Sequence, residues 1–424
     1  MSPSPDAPPT SAAREQPEDR PRLLGRVVAT ERRPNTTHEF HFWTALDSPV
    51  GIGTIVRVEG THAIEGQIPQ VYGVVTDGMS YSDLASPLHD VIGFDADPAR
   101  AARAATERAE IRLYTAAVLR HIPDEPLQPV AMGQVFLADD RDVAVALRMD
   151  GYLREGARTG IPVGVYRAGG MESPIYLDAD FLLGPEAAHL NITGVSGLAT
   201  KTSAVEWLLA SIFAHFPAKK GSVAAVCFNV KGPDLCFLDQ PSTLEARDRT
   251  LYEALGVPAA PFPNVHYFAP YKAKGYALNT LRSNPALQHN VSPLTWGLRE
   301  VMQFAEVLLN KDDIDAKADA LIDFVASRVV DQPFSDPLMG GRQFQVRSFA
   351  DLDAFFRELI DAMEGANREQ WRTHHVATIR KVRNRLVNIA TRCEGLVTND
   401  GHASDLPFGS FEDRAVYVVD VANL

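Results

Sequence analysis

The pattern of apolar positions divides the chain into a β-rich first part and a mixed α/β second part. From Leu24 to about Ala138, short apolar or alternating segments recur between turn residues, with glycines at the bends. Several strands of this length predict a small closed β-barrel over residues 23–140. The predicted strands are Leu24–Thr30, Thr37–Trp43, Gly53–Glu59, Gln70–Thr76, Ile111–Leu119 and Gly133–Leu137, with a polar interruption from Asp77 to Pro98.

The second part, residues 181–424, carries the apolar runs of an α/β sheet. A continuous run such as Ser222–Val230 is typical of a parallel strand that is buried on both faces. Similar strands are predicted at Val265–Pro270 and from Arg414 onward, and a shorter one at Leu190 and Ile192. Residues 141–180 are expected to form a linker and strands that lead into this part, and the polar residues 1–22 a disordered tail.

Helical patterns fill the interval from about Trp296 to Cys393, which predicts a helical bundle of about residues 285–395 inserted into the sheet. The clearest apolar stripe includes Leu352, Phe355 and Leu359, with Ser348 as N-cap and Gly365 as the stop. The last helix of the block is basic. Its cations either form a solvated face or, as a set, supply an arginine to a neighbouring subunit or contact nucleic-acid phosphates; they are Arg372, Arg380, Lys381, Arg383, Arg385 and Arg392.

Composition and charge set limits on function. The chain has 424 residues, of which 45% are hydrophobic and 22% charged, as in ordinary globular proteins. No apolar run is long enough to cross a bilayer and the N-terminus is not a signal peptide, so we expect a cytoplasmic protein with no membrane partner. The net charge of −13 argues against a broad nucleic-acid-binding surface. It leaves open a ring whose basic residues are confined to a central pore.

Neither cysteines nor histidines indicate a metal site. Cys227, Cys236 and Cys393 lack paired or metal-ligand spacing, which favours buried thiols. His38 and His41 are three residues apart on a predicted strand and are therefore expected on opposite faces. No third ligand lies near them in sequence, so ordinary histidines are favoured.

The strongest chemical signal lies between the strand predicted at Leu190 and a helix predicted to start at Lys201-Thr202-Ser203, with its apolar pattern from Val205. Glycines allow backbone N–H groups to approach phosphate oxygens, and a new helix adds the positive end of its dipole. A lysine then reaches the outer phosphates and a hydroxyl holds magnesium. The predicted nucleotide- and Mg²⁺-binding residues are Gly194, Val195, Ser196, Gly197, Leu198, Ala199, Thr200, Lys201, Thr202 and Ser203.

This loop departs from the usual phosphate-loop spacing, because Gly194 and Lys201 are seven residues apart and the second glycine is missing. One alignment treats Thr200 as an insertion before the lysine. Ala199 or Thr200 would then resist a positive φ that glycine accepts. The alternative interpretation is a strand-to-helix turn that carries an incidental lysine.

Taken in order, the barrel, the Gly194–Thr202 loop, the segment Asn229–Leu235, a helical insertion and a Val-Val-Asp420 strand resemble the HerA-type ATPases, which belong with the FtsK-like DNA-pumping motors. The resemblance spans roughly Leu23 to Leu424, but only the loop is a specific motif. It implies a P-loop NTPase fold with a RecA-like parallel sheet. It also implies a homohexameric ring that hydrolyses ATP at subunit interfaces and moves double-stranded DNA through its pore.

Carried over to this chain, the resemblance assigns roles to single residues. Lys201 would bind the β- and γ-phosphates and act in catalysis, Thr202 would hold Mg²⁺, and Gly194 to Thr200 would wrap the phosphates. A nuclease or a phage-defence effector would dock on the barrel.

The acidic residues depart from the family pattern. The family places an acidic pair at the end of a strand, whereas Val421 follows Asp420. Either Asp420 ends the preceding strand of a sheet whose C-terminal part is truncated, which the lack of a covering helix favours, or the motor lacks its catalytic glutamate. If the motor lacks its catalytic glutamate, Asp420 would still serve the metal.

A second hypothesis for the function is a nucleotide-bound ring that assembles and activates an effector without sustained turnover. A third is an α/β protein whose Lys201 loop binds another phosphorylated ligand.

Overall fold

The structure is a computed structural model that describes residues 21–63, 66–103, 109–154, 159–184, 188–194, 200–272, 277–308, 316–398 and 406–424. It forms two compact units. Unit 1 comprises residues 1–191 with 215–217, and unit 2 comprises residues 192–214 with 218–424. Most of the tail predicted at residues 1–22 lies outside the described residues.

Unit 1 is built around a closed six-stranded β-barrel, as predicted. Its strands follow the order β1-β2-β5-β4-β3-β6 around the barrel. Alternate side chains fill the interior, including Phe40, Phe42, Val56 and Val135, so the barrel has a core of its own. The strands are β1 (Leu23–Val28), β2 (Glu39–Thr44), β3 (Ile55–Glu59), β4 (Gln70–Ser82), β5 (Glu110–Ile122) and β6 (Gln134–Leu137).

The polar interruption predicted at Asp77 was placed too early. Strand β4 continues to Ser82 because each of its last residues pairs with β5, as Ser82 does with Glu110. The ladder satisfies the backbone there, and the side chains face solvent, so no apolar alternation is needed. Two short helices follow, α1 (Pro87–Gly93) and α2 (Pro98–Ala101).

The strands predicted to lead into the second part form a separate hairpin. Helix α3 (Asp140–Ala146) precedes β7 (Gly160–Ala168) and β8 (Met171–Asp178), which pair antiparallel in a two-stranded sheet, and α4 (Ala179–Leu183) follows. No strand forms at residues 188–194, so the strand predicted there is wrong. Leu190 is exposed, and an isolated apolar pair without a neighbouring strand gives the backbone no partner.

Unit 2 contains a parallel four-stranded sheet in the order β11-β10-β16-β9, as predicted. Burial on both faces, which was predicted for the run Ser222–Val230, is wrong for that run, because β9 is an edge strand and its Phe228 is 62% exposed. The strands are β9 (Ala225–Asn229), β10 (Val265–Ala269), β11 (Val291–Pro293) and β16 (Val416–Asp420). Every residue of β16 is buried, because the strand lies between β9 and β10. Helix α5 (Thr200–His215) precedes β9, and α6 (Ala246–Ala254) connects β9 to β10.

The interval between β11 and β16 is largely helical and has its own core. Leu321, Phe355, Phe356, Leu359 and Ile379 are fully or almost fully buried in it. Its helices are α7 (Leu298–Gln303), α8 (Ala305–Leu308), α9 (Ala316–Arg328), α10 (Phe349–Gly365) and α11 (Val376–Arg392). Two short hairpins accompany them, β12 (Pro333–Ser335) with β13 (Gln343–Gln345) and β14 (Gln370–Trp371) with β15 (His374–His375).

Candidate phosphate site at the edge of the parallel sheet

The predicted lysine, threonine and serine occupy the first turn of α5. Lys201 and Ser203 are exposed and Thr202 is half-buried. The Lys201 ammonium donates a hydrogen bond to the carbonyl oxygen of Gly194, with 3.1 Å between Nζ and O. The lysine therefore reaches back to the start of the loop. Residues 195–199 lie outside the described part of the chain, so the structure leaves the predicted roles of Val195, Ser196, Gly197, Leu198 and Ala199 as predictions.

An acidic residue contacts Thr202 from the segment after β9. The Thr202 hydroxyl lies 3.5 Å from Oδ2 of Asp234, which is exposed and begins a 3₁₀-helix, Asp234–Phe237. Gly232 makes the turn into this helix with a φ of +76°, a conformation that favours glycine. Asp234 lies in the segment Asn229–Leu235 that follows the predicted strand, but it was not among the predicted site residues. Its contact spans 32 positions, which no local pattern could show.

Asp420 ends β16 beside Asn229, its partner in register on β9. It is only 2% exposed. One carboxylate oxygen accepts from the Asn229 amide at 2.9 Å, and the other accepts from the Thr280 hydroxyl at 2.8 Å and the Leu281 backbone N–H at 2.6 Å. The carboxylate thus holds together three chain segments at the carboxyl end of the sheet.

The 3₁₀-helix Asp234–Phe237 connects these two groups of residues. Its first residue faces Thr202, while the Cys236 thiol lies 3.3 Å from the Asn229 amide nitrogen that also donates to Asp420. Burial, with the nearby charge of Asp420, raises the pKa of Cys236 to about 12. The thiol therefore stays protonated and acts as a packing group at neutral pH.

A buried ion pair supports the same helix. The guanidinium of Arg282 is fully buried and forms two hydrogen bonds with the carboxylate of Asp239. It also donates to the backbone carbonyl of Cys236, and its Cζ lies 4.0 Å from the centre of the Tyr267 ring. Burial alone would raise the pKa of Asp239, but hydrogen bonds from Arg282 and Tyr267, with the charge of Arg282, lower it to about 2. The pair fixes the segment that follows the 3₁₀-helix.

The arrangement offers hard oxygen ligands and a cation at one helix start. A threonine hydroxyl and an exposed carboxylate are ligands that Mg²⁺ accepts, usually together with water and phosphate oxygens. These residues therefore fit a magnesium-bound phosphate. Among the described residues, no group of three or more His, Cys, Asp or Glu side chains is arranged to hold a metal ion. His41 is buried beside the Thr115 hydroxyl, whereas His38 is exposed.

The basic residues near α11 are largely engaged within unit 2. Arg383 pairs with Asp353 at 2.7 Å, and Arg380 pairs with Glu364. The guanidinium of Arg372, which precedes α11, lies 4.6 Å from the centre of the Phe324 ring. Lys381 and Arg385 also have interactions of their own. These contacts weaken the hypothesis that the six cations act as one phosphate-binding surface.

Comparisons with known proteins supply no family for the chain. No protein-family model matches it, and no curated protein matches it either. No helix in the described parts of the chain is both long and apolar enough to span a membrane.

Proposed function

We propose that unit 2 binds ATP with Mg²⁺ as a P-loop NTPase and that the chain is a subunit of an ATP-driven, ring-shaped DNA translocase. The observation that carries the proposal is the first turn of α5, where Lys201 reaches back to Gly194 and Thr202 contacts Asp234, which follows the carboxyl end of β9 in the parallel sheet. Ligands of such sheets bind at the carboxyl ends of the strands. Asp234, which follows β9, and Asp420, which ends β16, lie at the carboxyl ends of these strands.

Each residue has a defined task in this proposal. Lys201 exchanges its bond to the Gly194 carbonyl for the β- and γ-phosphates, and the N–H groups of the first turn of α5 donate to the same oxygens. Thr202 and Asp234 would hold Mg²⁺, directly or through water, and the metal would supply positive charge that neutralises and orients the phosphates. Asp420 positions Asn229 and the 280–281 segment rather than touching the nucleotide, because it is only 2% exposed and accepts three hydrogen bonds from those residues.

The decisive experiment is steady-state ATP hydrolysis with and without linear duplex DNA. We expect turnover that increases with DNA and is lost in Lys201→Ala. Lys219→Ala is the matched control, because Lys219 is an exposed lysine of the same unit outside the site and should retain full activity. Equal nucleotide binding by Lys201→Ala and the wild type would refute the proposed phosphate site.

The acidic residues favour one alternative, a ring that binds nucleotide and activates a nuclease or another effector docked on the barrel without sustained turnover. In the described structure Asp420 is buried and accepts three hydrogen bonds from protein groups, and the next residue, Val421, has no carboxylate to polarise water. This alternative predicts ATP binding without hydrolysis under any condition. Mass photometry with and without ATP would show whether a hexamer forms, which both proposals require.

A further inference from the structure

Unit 2 contains a cavity of about 280 Å³ beside α5. Glu206 and Ala210 of α5 line one side of it. The segment from Phe237 to Leu244, Tyr252 of α6 and the segment from Pro258 to Phe262 provide the other walls. Pockets for whole small ligands usually measure roughly 300–1,000 Å³, so this volume suits one ring system of a larger ligand.

The cavity begins close to the candidate phosphate site. Glu206 follows Thr202 by four residues, which places the two side chains on the same face of α5, roughly 6 Å apart along the helix axis. Phe237 ends the 3₁₀-helix that starts with Asp234, the residue in contact with Thr202. Helix α5 and the 3₁₀-helix Asp234–Phe237 therefore both extend from the phosphate site to the cavity.

Aromatic rings with fixed positions line the cavity. Tyr252 packs edge-on against Trp207 with ring centres 4.8 Å apart, and Phe262 packs edge-on against Phe213 at 5.9 Å. A cavity with such walls is preorganised for a flat ring, because its stacking surfaces need little ordering on binding. Stacking of this kind accepts any nucleobase.

One carboxyl group stands at the cavity wall. Burial, together with the charge of Asp234, raises the pKa of Glu206 above its ordinary value. The ionised carboxylate is therefore less favoured here than in water, and a hydrogen-bond donor in the cavity would stabilise it. An exocyclic amino group of a base is such a donor.

We propose that this cavity binds the purine base of the nucleotide whose phosphates lie at the start of α5, with Glu206 accepting a hydrogen bond from the exocyclic amino group. The inference rests on the proposed ATP site and assigns its base-binding residues. The rings of the base would stack against the side chains of Phe237, Tyr252 and Phe262. Glu206 recognises the edge of the base that carries the amino group.

The test is calorimetric titration of the full chain with three Mg²⁺-bound ligands: ATP, purine riboside triphosphate, which lacks the 6-amino group, and inorganic tripolyphosphate. Tyr252→Leu removes a ring and Ala210→Phe fills the cavity. We expect each to weaken ATP binding by about tenfold or more and to leave tripolyphosphate binding unchanged. Glu253→Leu is the control for Tyr252→Leu, because Glu253 is the next residue of α6 and is exposed. Thermal unfolding shows which variants remain folded.

Glu206→Leu tests the hydrogen bond separately. It should weaken ATP binding but not binding of the triphosphate that lacks the amino group, so that the wild type's preference for ATP disappears. Equal loss of ATP and tripolyphosphate binding in Tyr252→Leu, or unchanged ATP affinity in both cavity variants, would overturn the inference, whereas binding of tripolyphosphate by the wild type would still support the proposed phosphate site. If the wild type binds none of the three ligands, the proposed function fails and this inference fails with it.

Discussion

Arg282 is a fully buried cation whose charge is balanced by Asp239. Removing one partner of such a pair leaves an uncompensated charge in the interior and typically costs about 3–5 kcal/mol. Asp239→Asn keeps the shape of the side chain but removes the charge. We therefore expect it to lower the free energy of unfolding of unit 2 far more than Asp331→Asn, which breaks an exposed pair with Arg299. Exposed pairs contribute about 0–1 kcal/mol.

The pH dependence of stability gives a sharper test of the same pair. The folded-state pKa of Asp239, about 2, lies below its ordinary value of 3.8, so its contribution is present above about pH 4 and is lost as pH falls toward 2. The wild type's advantage over Asp239→Asn should shrink by roughly 2 kcal/mol across that window. Urea titrations in a Trp43→Phe background measure it, because the remaining tryptophans all lie in unit 2. An advantage that is independent of pH would contradict the assignment.

Substitution of Asp420 separates a role of this buried carboxylate in stability from a role in nucleotide binding. In Asp420→Asn one acceptor becomes an NH₂ donor that faces either the Asn229 amide or the Leu281 N–H, so that at least one of these hydrogen bonds is lost. We expect a loss of about 1–3 kcal/mol in stability, as for other buried hydrogen bonds that are broken. Nucleotide affinity should change little. A large loss of ATP affinity at unchanged stability would instead place Asp420 in contact with the nucleotide.

At the scale of single elements, α10 shows where sequence patterns are sufficient. Its apolar stripe, its N-cap Ser348 and its last residue Gly365 are as predicted, since each depends on neighbours within one or two turns. The Ser348 hydroxyl accepts from the Asp351 N–H at 3.1 Å, and the Asp351 carboxylate accepts from the Ser348 N–H in return. Ser348→Ala should lower stability by about 1 kcal/mol and Ser348→Asp much less, measured by urea titration. Equal losses would contradict the capping role.

Strands show where local patterns are not sufficient. The runs at β9, β10 and β16 were predictable because both faces of each strand are apolar. The pattern at Leu190 was too short, and a strand exists only where another strand pairs with it. The same limit applies to the site. The start of α5 was predictable from Lys201 and Thr202, but the contacts of Asp234 and Arg282 join residues that are 32 and 43 positions apart.

At the scale of the whole molecule, each of the two units has a core of its own, so we expect each to unfold in its own transition on heating. The barrel closes on itself and leaves no open sheet edge, so it does not need unit 2 to satisfy its backbone. We expect a fragment of residues 21–184 to fold alone and to unfold cooperatively. Circular dichroism during a thermal scan of this fragment, beside the full chain, checks this expectation. A fragment without a cooperative transition would show that the barrel depends on the rest of the chain.

The position of β16 between β9 and β10 has a consequence for biosynthesis. Among the described strands, β9 pairs only with β16, and the residues that join them are 191 positions apart, Asn229 with Asp420. While a ribosome is still synthesising the helical interval between β11 and β16, β9 therefore has no partner strand and the sheet is incomplete. Such distant pairing makes folding slow. During that time the exposed apolar strand must be protected, so unit 2 should depend on chaperones during synthesis far more than the barrel.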